Sequence, residues 1–336
     1  SIEKLWCVKT DDGNKYSAKF LITAVGCLSS TNIPNIRGQN EFSGSSYHTG
    51  AWPHRGVNFK GKRVGLIGTG STGIQATPVI AKTAKHLTVF QRTANYSIPA
   101  HNAPLSDEFK KYAKENIAEI RTLMHSSVNG HPFLIQDRSA LATDPEERER
   151  LFEEAWKIGG LQFRAVFQDL ITSAASNELA AEFIKKKIRE IVKDPKVADK
   201  LTNFDHPFAS KRPPVDSHYF ETFNRNNVVL VDVRDDPIER ITKDGIETSS
   251  ASFDLDIIVF ATGFDAMTGA LLNIDIVGRD GVTLKDIWSE GPKTYLGLQI
   301  YGFPNLFTIT GPGSPSVLCN MPVAIEQHVD WIADCW

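Results

Sequence analysis

The sequence predicts an α/β fold, and three observations carry that expectation. An apolar run, Val64-Gly65-Leu66-Ile67, leads into Gly68, Gly70 and Gly73 and then into a helix-like stretch through Ala84. Another run, Leu87-Thr88-Val89-Phe90, follows that helix. Two further runs, Phe20–Ala24 and Leu255–Phe260, each end in a small-residue turn, Ala24-Val25-Gly26 and Ala261-Thr262-Gly263. Strands alternating with helices imply a parallel sheet. Two such return strands for one G-x-G-x-x-G imply two dinucleotide-binding, Rossmann-like folds, of which one is incomplete here.

In the glycine run, Gly68 permits the tight turn, Gly70 lets a pyrophosphate approach the backbone and Gly73 lets helix pack on strand. Ser71 and Thr72 open the helix, whose free amides and dipole hold phosphate. A bare glycine spacing is often only a turn, but strand before and helix after favour the nucleotide reading. The following strand ends in Gln91-Arg92-Thr93 with no carboxylate. An NAD site wants an acid there for the ribose 2′-hydroxyl. Arg92 can instead fork onto a 2′-phosphate, so NADP(H) is the expected nucleotide. The plainer reading of Arg92 is a solvated charge at a strand end.

Size and charge narrow the class. The 336 residues, 41% hydrophobic, suffice for two or three domains. A net charge of -3 with no long basic block argues against nucleic acid as the main partner. No apolar run reaches the ~20 residues of a membrane span. Cys7, Cys27, Cys319 and Cys335 lack C-x-x-C spacing, so neither a metal site nor a disulfide framework is expected, and reduced thiols suit a cytoplasmic protein. The chain opens at Ser1 without Met and stops at Trp336, inside a helix begun near Pro322. We expect an internal piece of a longer protein.

In chain order, residues 4–23 read as short strands around Asp11-Asp12-Gly13-Asn14. Phe42–Pro53 reads as a linker punctuated by Gly and Pro, in which a lone His48 is most simply a structural hydrogen-bonder. From Ala100 to Phe208 the pattern turns helical. Ser106 caps a helix bearing Phe109, Tyr112, Ile117, Ile120 and Leu123 on one side. Thr143-Asp144-Pro145-Glu146 reads as a capping box, and Gly159-Gly160 ends its helix. Further helices are expected over Leu161–Ser173 and Asn177–Lys193, with a break at Asp194-Pro195. Lys185-Lys186-Lys187 reads as a solvated face. Lys211-Arg212 beside Pro213-Pro214 is a basic pair on a rigid backbone, most plainly a charged connector. Strands are then expected at Val228–Val233, Ile238–Ile241, Asp256–Phe260, Leu298–Tyr301 and Leu306–Thr310, before the loop Gly311–Ser316 and the final helix.

Taken together, these stretches resemble the type I Baeyer–Villiger monooxygenases. Phe42, Gly44, His48, Trp52 and Pro53 meet that family's pattern F-x-G-x-x-x-H-x-x-x-W-P in full, shortly before the glycine loop. The likeness continues through Phe90–Tyr96, Lys211-Arg212, Ala261–Asp265 and Asn320–Ile332. The related flavin-containing monooxygenases, which oxygenate N or S, lack the Trp-Pro ending. The resemblance implies that NADPH reduces bound FAD, and that a C4a-peroxyflavin formed with dioxygen converts a ketone to an ester or lactone. It implies that Arg212 is the active-site arginine, that Lys211 and Arg92 contact the 2′-phosphate with help from Thr69 and Thr93, and that His48 couples domain movement. It divides the chain into a partial FAD domain with the fingerprint linker (1–55), an NADP-binding half (56–99), a helical insertion (100–208), a second NADP-binding half (209–263) and a further FAD-domain part (264–336). A monomer is expected. The flavin's own glycine loop and the acidic partner of the arginine are not in this sequence. A non-catalytic NADP-binding module is therefore the rival reading of this chain.

Overall fold

A computed structural model describes residues 4–315 and 319–335. It divides into two compact units. The larger takes Asn32–Asn116 and Phe133–Gly263, and the smaller takes the described residues of Ser1–Thr31, Ile117–Pro132 and Phe264–Trp336.

The larger unit is built on a five-stranded sheet of Ser45–His48 (β1), Arg63–Ile67 (β2), His86–Gln91 (β3), Val228–Asp232 (β4) and Ile257–Phe260 (β5). All neighbours are parallel, in the order β1-β5-β2-β3-β4. The central strands are nearly continuous apolar runs because both faces are covered. Period-two alternation sorts their side chains. Val64, Leu66, Leu87, Val89, Ile257 and Val259 join the core under the helices. Ile67, Phe90, Val231, Ile258 and Phe260 pack instead with Ile241 and Ile246 of a three-stranded antiparallel sheet. At the amino ends of β2 and β5, the Arg63 guanidinium reaches Asp256 at 3.0 Å and Asp254 at 3.2 Å.

The expected linker Phe42–Pro53 therefore contains an edge strand. Ser45 and Ser46 face solvent there, as suits a short strand at a sheet edge. The helix Ser71–Ala81 (α1) connects β2 to β3.

The helical region departs from its expected shape in three places. The first helix stops at Glu115, where the Asn116 amide donates to the Tyr112 carbonyl, and a second runs Ile117–Ser126. Phe109, Tyr112 and Ile117 of its apolar stripe are exposed. The helix Pro145–Ile158 is capped by Asp144, whose carboxylate accepts from the Glu146 and Glu147 amides. Thr143 is occupied elsewhere, donating to the Ser139 carbonyl, so no reciprocal box forms. Leu161–Ser173 is not one α-helix but a 3-10 turn at Gly160–Ala165 followed by irregular turns. There Asp169 draws in the Ser139 and Ser176 hydroxyls and the Ala140 amide, while Phe163, Phe167 and Leu170 still bury at helical spacing. The helix Ala174–Ile191 follows, and Asp194 caps another at Pro195–Thr202. Phe152, Trp156, Phe163, Phe167, Phe183 and Phe208 form an aromatic cluster continuous with the sheet's core. Lys186 and Lys187 are ion-paired with Glu149 and Glu153 of the facing helix, so the lysine run is not a free solvated face.

In the smaller unit, Trp6–Lys9 and Lys15–Ala18 form an antiparallel hairpin, and Leu21–Thr23 pairs in parallel with Leu306–Thr308. Its core holds Leu271, Ile276, Leu284, Trp288, Ile300 and Phe303. Leu298–Tyr301 makes no strand, since Gln299 bridges singly to Tyr295 and Phe307 beside turns at Leu296 and Gly302. The last helix is Met321–Asp334. Ser316 of the preceding loop lies outside the described residues. No helix among the described residues is long and apolar enough to cross a membrane.

Candidate functional site

The glycine loop leaves the carboxyl end of β2, the middle strand of the larger sheet, where open parallel sheets receive their ligands. Gly68 has φ +108, and a Cβ there would lie 2.5 Å from the Ala261 carbonyl oxygen. A Cβ on Gly73 would lie 2.1 Å from the Gly68 carbonyl oxygen. Both positions need glycine to close loop on helix and on the turn after β5. Gly70 is different. Its φ is -75, and nothing lies within 4 Å of the position its Cβ would take. That open space adjoins the exposed first turn of α1 at Ser71 and Thr72, which carries no acidic residue. Free amides, open space and no competing carboxylate fit a diphosphate.

Beside the loop, the buried Thr69 hydroxyl donates to the Thr93 carbonyl at 2.8 Å, and the Asn95 amide donates to the Thr69 carbonyl at 2.7 Å. These bonds tie the end of β3 to the glycine loop. Ala261 packs against that loop, Thr262 donates to the Asn32 carbonyl at 2.5 Å, and Gly263 accepts from the Asn32 amide. Arg92 is exposed and makes no hydrogen bond or ion pair among the described residues. The Thr93 hydroxyl accepts from Arg234 at 3.0 Å. Arg234 is also ion-paired with Asp205, which takes the His206 ring at 2.8 Å and has the Lys211 ammonium at 3.9 Å. His206 first, then Arg234 and Lys211, hold the Asp205 carboxyl down at about 2. Lys211 thus joins a corner with Arg234 and the Thr93 hydroxyl, next in sequence to Arg92, and a guanidinium, an ammonium and a hydroxyl so grouped suit a phosphate dianion.

Four of the five fingerprint positions, Phe42, Gly44, His48 and Trp52, have separate physical reasons. A Cβ on Gly44 would lie 2.4 Å from the Phe42 ring and 2.5 Å from the Asp256 carbonyl oxygen, so glycine lets the ring fold over β1 as it enters the sheet. Trp52 packs against Tyr47 and Phe59, with centroids 5.9 and 6.1 Å away. His48 is buried, and its Nδ1 accepts from the Gly50 amide at 3.0 Å. A neutral ring there carries its proton on Nε2. His48 pairs with Phe260 in β5, one strand removed from the glycine loop. Arg212 is exposed next to the buried Pro213 and Pro214. Its charge reaches Arg164, whose guanidinium is pushed below its ordinary value by burial first and by Arg212 second.

Arg234, Asp205 and Asn95 stand beside these residues in the structure, and sequence reasoning did not single them out. One signal was available for Arg234: it follows the end of β4 as Arg92 follows the end of β3, and strand carboxyl ends line the ligand crevice. Asp205 had no signal, because it comes from a loop remote in sequence.

The parallel sheet, the glycine loop and the basic corner define a dinucleotide-binding, Rossmann-like fold. Residues 2–149 match the pyridine nucleotide-disulphide oxidoreductase family. A Baeyer-Villiger monooxygenase of Pseudooceanicola batsensis is 48% identical over 98% of this chain and 60% of its own length. An oxidized steroid monooxygenase bound to NADP superposes with a TM-score of 0.93 at 53% identity, over 99% of this chain and 64% of that one. The complex of OTEMO with FAD and NADP gives a TM-score of 0.95 at 44% identity, again over 99% and 64%. Over nearly its whole length the chain is homologous to Baeyer–Villiger monooxygenases. It spans about three-fifths of the length of the relatives it matches.

Proposed function

We propose that this protein is an NADPH- and FAD-dependent monooxygenase that uses dioxygen to convert a ketone into an ester or lactone. The observation that supports the reading is the corner described above, a glycine loop at a helix start beside grouped cations, in a chain homologous to Baeyer–Villiger monooxygenases. Gly70, Ser71 and Thr72 would hold the diphosphate through the start of α1, with Thr69 and Thr93 keeping loop and corner in register. Arg92 and Lys211 would hold the 2′-phosphate, and Ala261, Thr262 and Gly263 would wall the crevice. The flavin, when bound, supplies activated oxygen. Its phosphates would need residues beyond this sequence, which has a single glycine loop of the required spacing. Arg212, a permanent planar cation, would stabilise the negative charge that develops on oxygen without releasing a proton. His48, fixed by Gly50, would couple the fingerprint to movement of the nucleotide.

We assign the domains as read from the sequence, with the helical region inserted in the NADP-binding part, except that residues 32–55 go with the larger unit and Ile117–Pro132 with the smaller. The protein would act as a monomer in a reducing, cytoplasmic setting.

The test is a flavin spectrum on purified protein, NADPH consumption with and without ketone, and product analysis by gas chromatography. Ketone-dependent consumption with ester formation supports the reading. Amine or sulfide oxygenation without ester formation would replace it with the N- or S-oxygenating alternative. NADPH binding with no flavin and no turnover would favour the non-catalytic binding module, which the single glycine loop makes the second reading.

A further inference from the structure

We infer that Arg234 is a third cation of the 2′-phosphate site, and that Asp205 is its resident counter-ion, which holds Arg234 ready and sets how strongly a phosphate is drawn in. The inference rests on the NADP reading of the site and goes beyond Arg92 and Lys211.

Four observations converge on it. Arg234 stands two residues past the end of β4, on the strand next to β3, so its backbone borders the same crevice. Its side chain is directed to that crevice by the bond from Nη2 to the Thr93 hydroxyl, and Thr93 directly follows Arg92. Its backbone is steadied by the Asp232 carboxylate, which accepts from the Arg234 amide at 3.0 Å, while Asp232 itself is buried. Finally, Asp205 gathers Arg234, Lys211 and His206 around one carboxylate.

The Arg234 side chain is about one-third exposed, and its guanidinium carries more N–H donors than the bonds to Thr93 and Asp205 use. An exposed ion pair of this kind contributes little to stability. A planar fork held at a fixed angle is nevertheless pre-organised for a phosphate, so little ordering remains to be done on binding. Asp205 acts in two opposed ways. It orients Arg234, and its own negative charge repels an incoming dianion at short range. Repulsion between formal charges outweighs the loss of one orienting contact in a partly wet site, so Asp205 lowers affinity on balance.

The experiment is titration of the protein with 2′,5′-ADP and with 5′-AMP, which differ only in the 2′-phosphate, followed calorimetrically at fixed ionic strength. Wild type should prefer 2′,5′-ADP. Arg234→Ala should lose about 10- to 100-fold for 2′,5′-ADP with 5′-AMP binding unchanged, and Arg234→Lys should recover part of that loss. Asp205→Asn should bind 2′,5′-ADP about threefold more tightly. Unchanged 2′,5′-ADP binding in Arg234→Ala, with wild-type preference intact, would overturn the role of Arg234 and leave the NADP reading standing. Equal losses for both ligands in Arg234→Ala and Asp205→Asn would also overturn it, since the cluster would then only support the loop. A wild type with no preference for 2′,5′-ADP would overturn the NADP reading itself.

Discussion

The two ends of the nucleotide site are built in opposite ways. The glycine loop is made of backbone: one turn, one helix start, and two positions where a Cβ would strike a carbonyl oxygen at 2.5 and 2.1 Å. The proposed 2′-phosphate corner is made of side chains from four separate segments, Arg92-Thr93, Asp205, Lys211 and Arg234, brought together by tertiary contacts. A site written in backbone must be contiguous, and it tolerates almost no substitution where chain passes chain. A site written in side chains is dispersed, and its members can be exchanged one at a time with graded effects.

The largest effect should come from separating neighbours on the corner's own segment. Arg212→Ala should reduce ester formation by at least about a thousandfold while leaving the KM for NADPH close to wild type, because we propose different ligands for Lys211 and Arg212. Steady-state kinetics of the complete flavoprotein, with product quantified by gas chromatography, checks this. Normal ester formation in that variant would remove Arg212 from the chemistry.

The glycines should split next. Gly73→Val should unfold the protein or cost several kcal/mol, since its side chain would overlap the Gly68 carbonyl. Gly70→Val should keep a near-normal Tm, because the position is open and its φ is ordinary, yet lose NADP binding about 100-fold by filling the diphosphate's space. Thermal unfolding paired with NADP titration reads both. Equal destabilisation by the two variants would show that Gly70 is structural as well.

Graded loss is the mark expected of the corner. Arg92→Ala should raise the KM for NADPH about 10- to 100-fold and leave that for NADH almost unchanged, as only NADPH carries the 2′-phosphate. The same loss with both nucleotides would move Arg92 out of the corner.

This contrast also explains what was legible in the sequence. Gly68, Gly70, Gly73, β2 and β3 were readable because their spacing and their apolar runs are local. The fingerprint residues were readable as a pattern, but β1 was not, since Ser45 and Ser46 carry no strand signal and the strand exists only by pairing with β5. The helix expected over Leu161–Ser173 had the right buried residues at the right spacing, yet Asp169 offered its neighbours better hydrogen bonds than a helix would. Arg234 and Asp205 belonged to the corner only once β4 lay beside β3.

The smallest effect concerns pH. Asp205 sits below its ordinary range, at about 2, so its favourable pairing is complete above the usual carboxylate pKa and is lost as pH falls toward 2. The Tm gap between wild type and Asp205→Asn should correspond to less than about 1 kcal/mol at pH 7, for a pair this exposed, and should shrink below pH 4. A gap that widens in acid would reverse the sign assigned to this carboxylate.

The most direct test of the two-part site is a crystal structure of the flavoprotein with NADP. The diphosphate should lie over Gly70 at the start of α1, and the 2′-phosphate within hydrogen-bonding distance of Arg92 and Thr93. An adenosine ribose bound away from the end of β3 would contradict this placement.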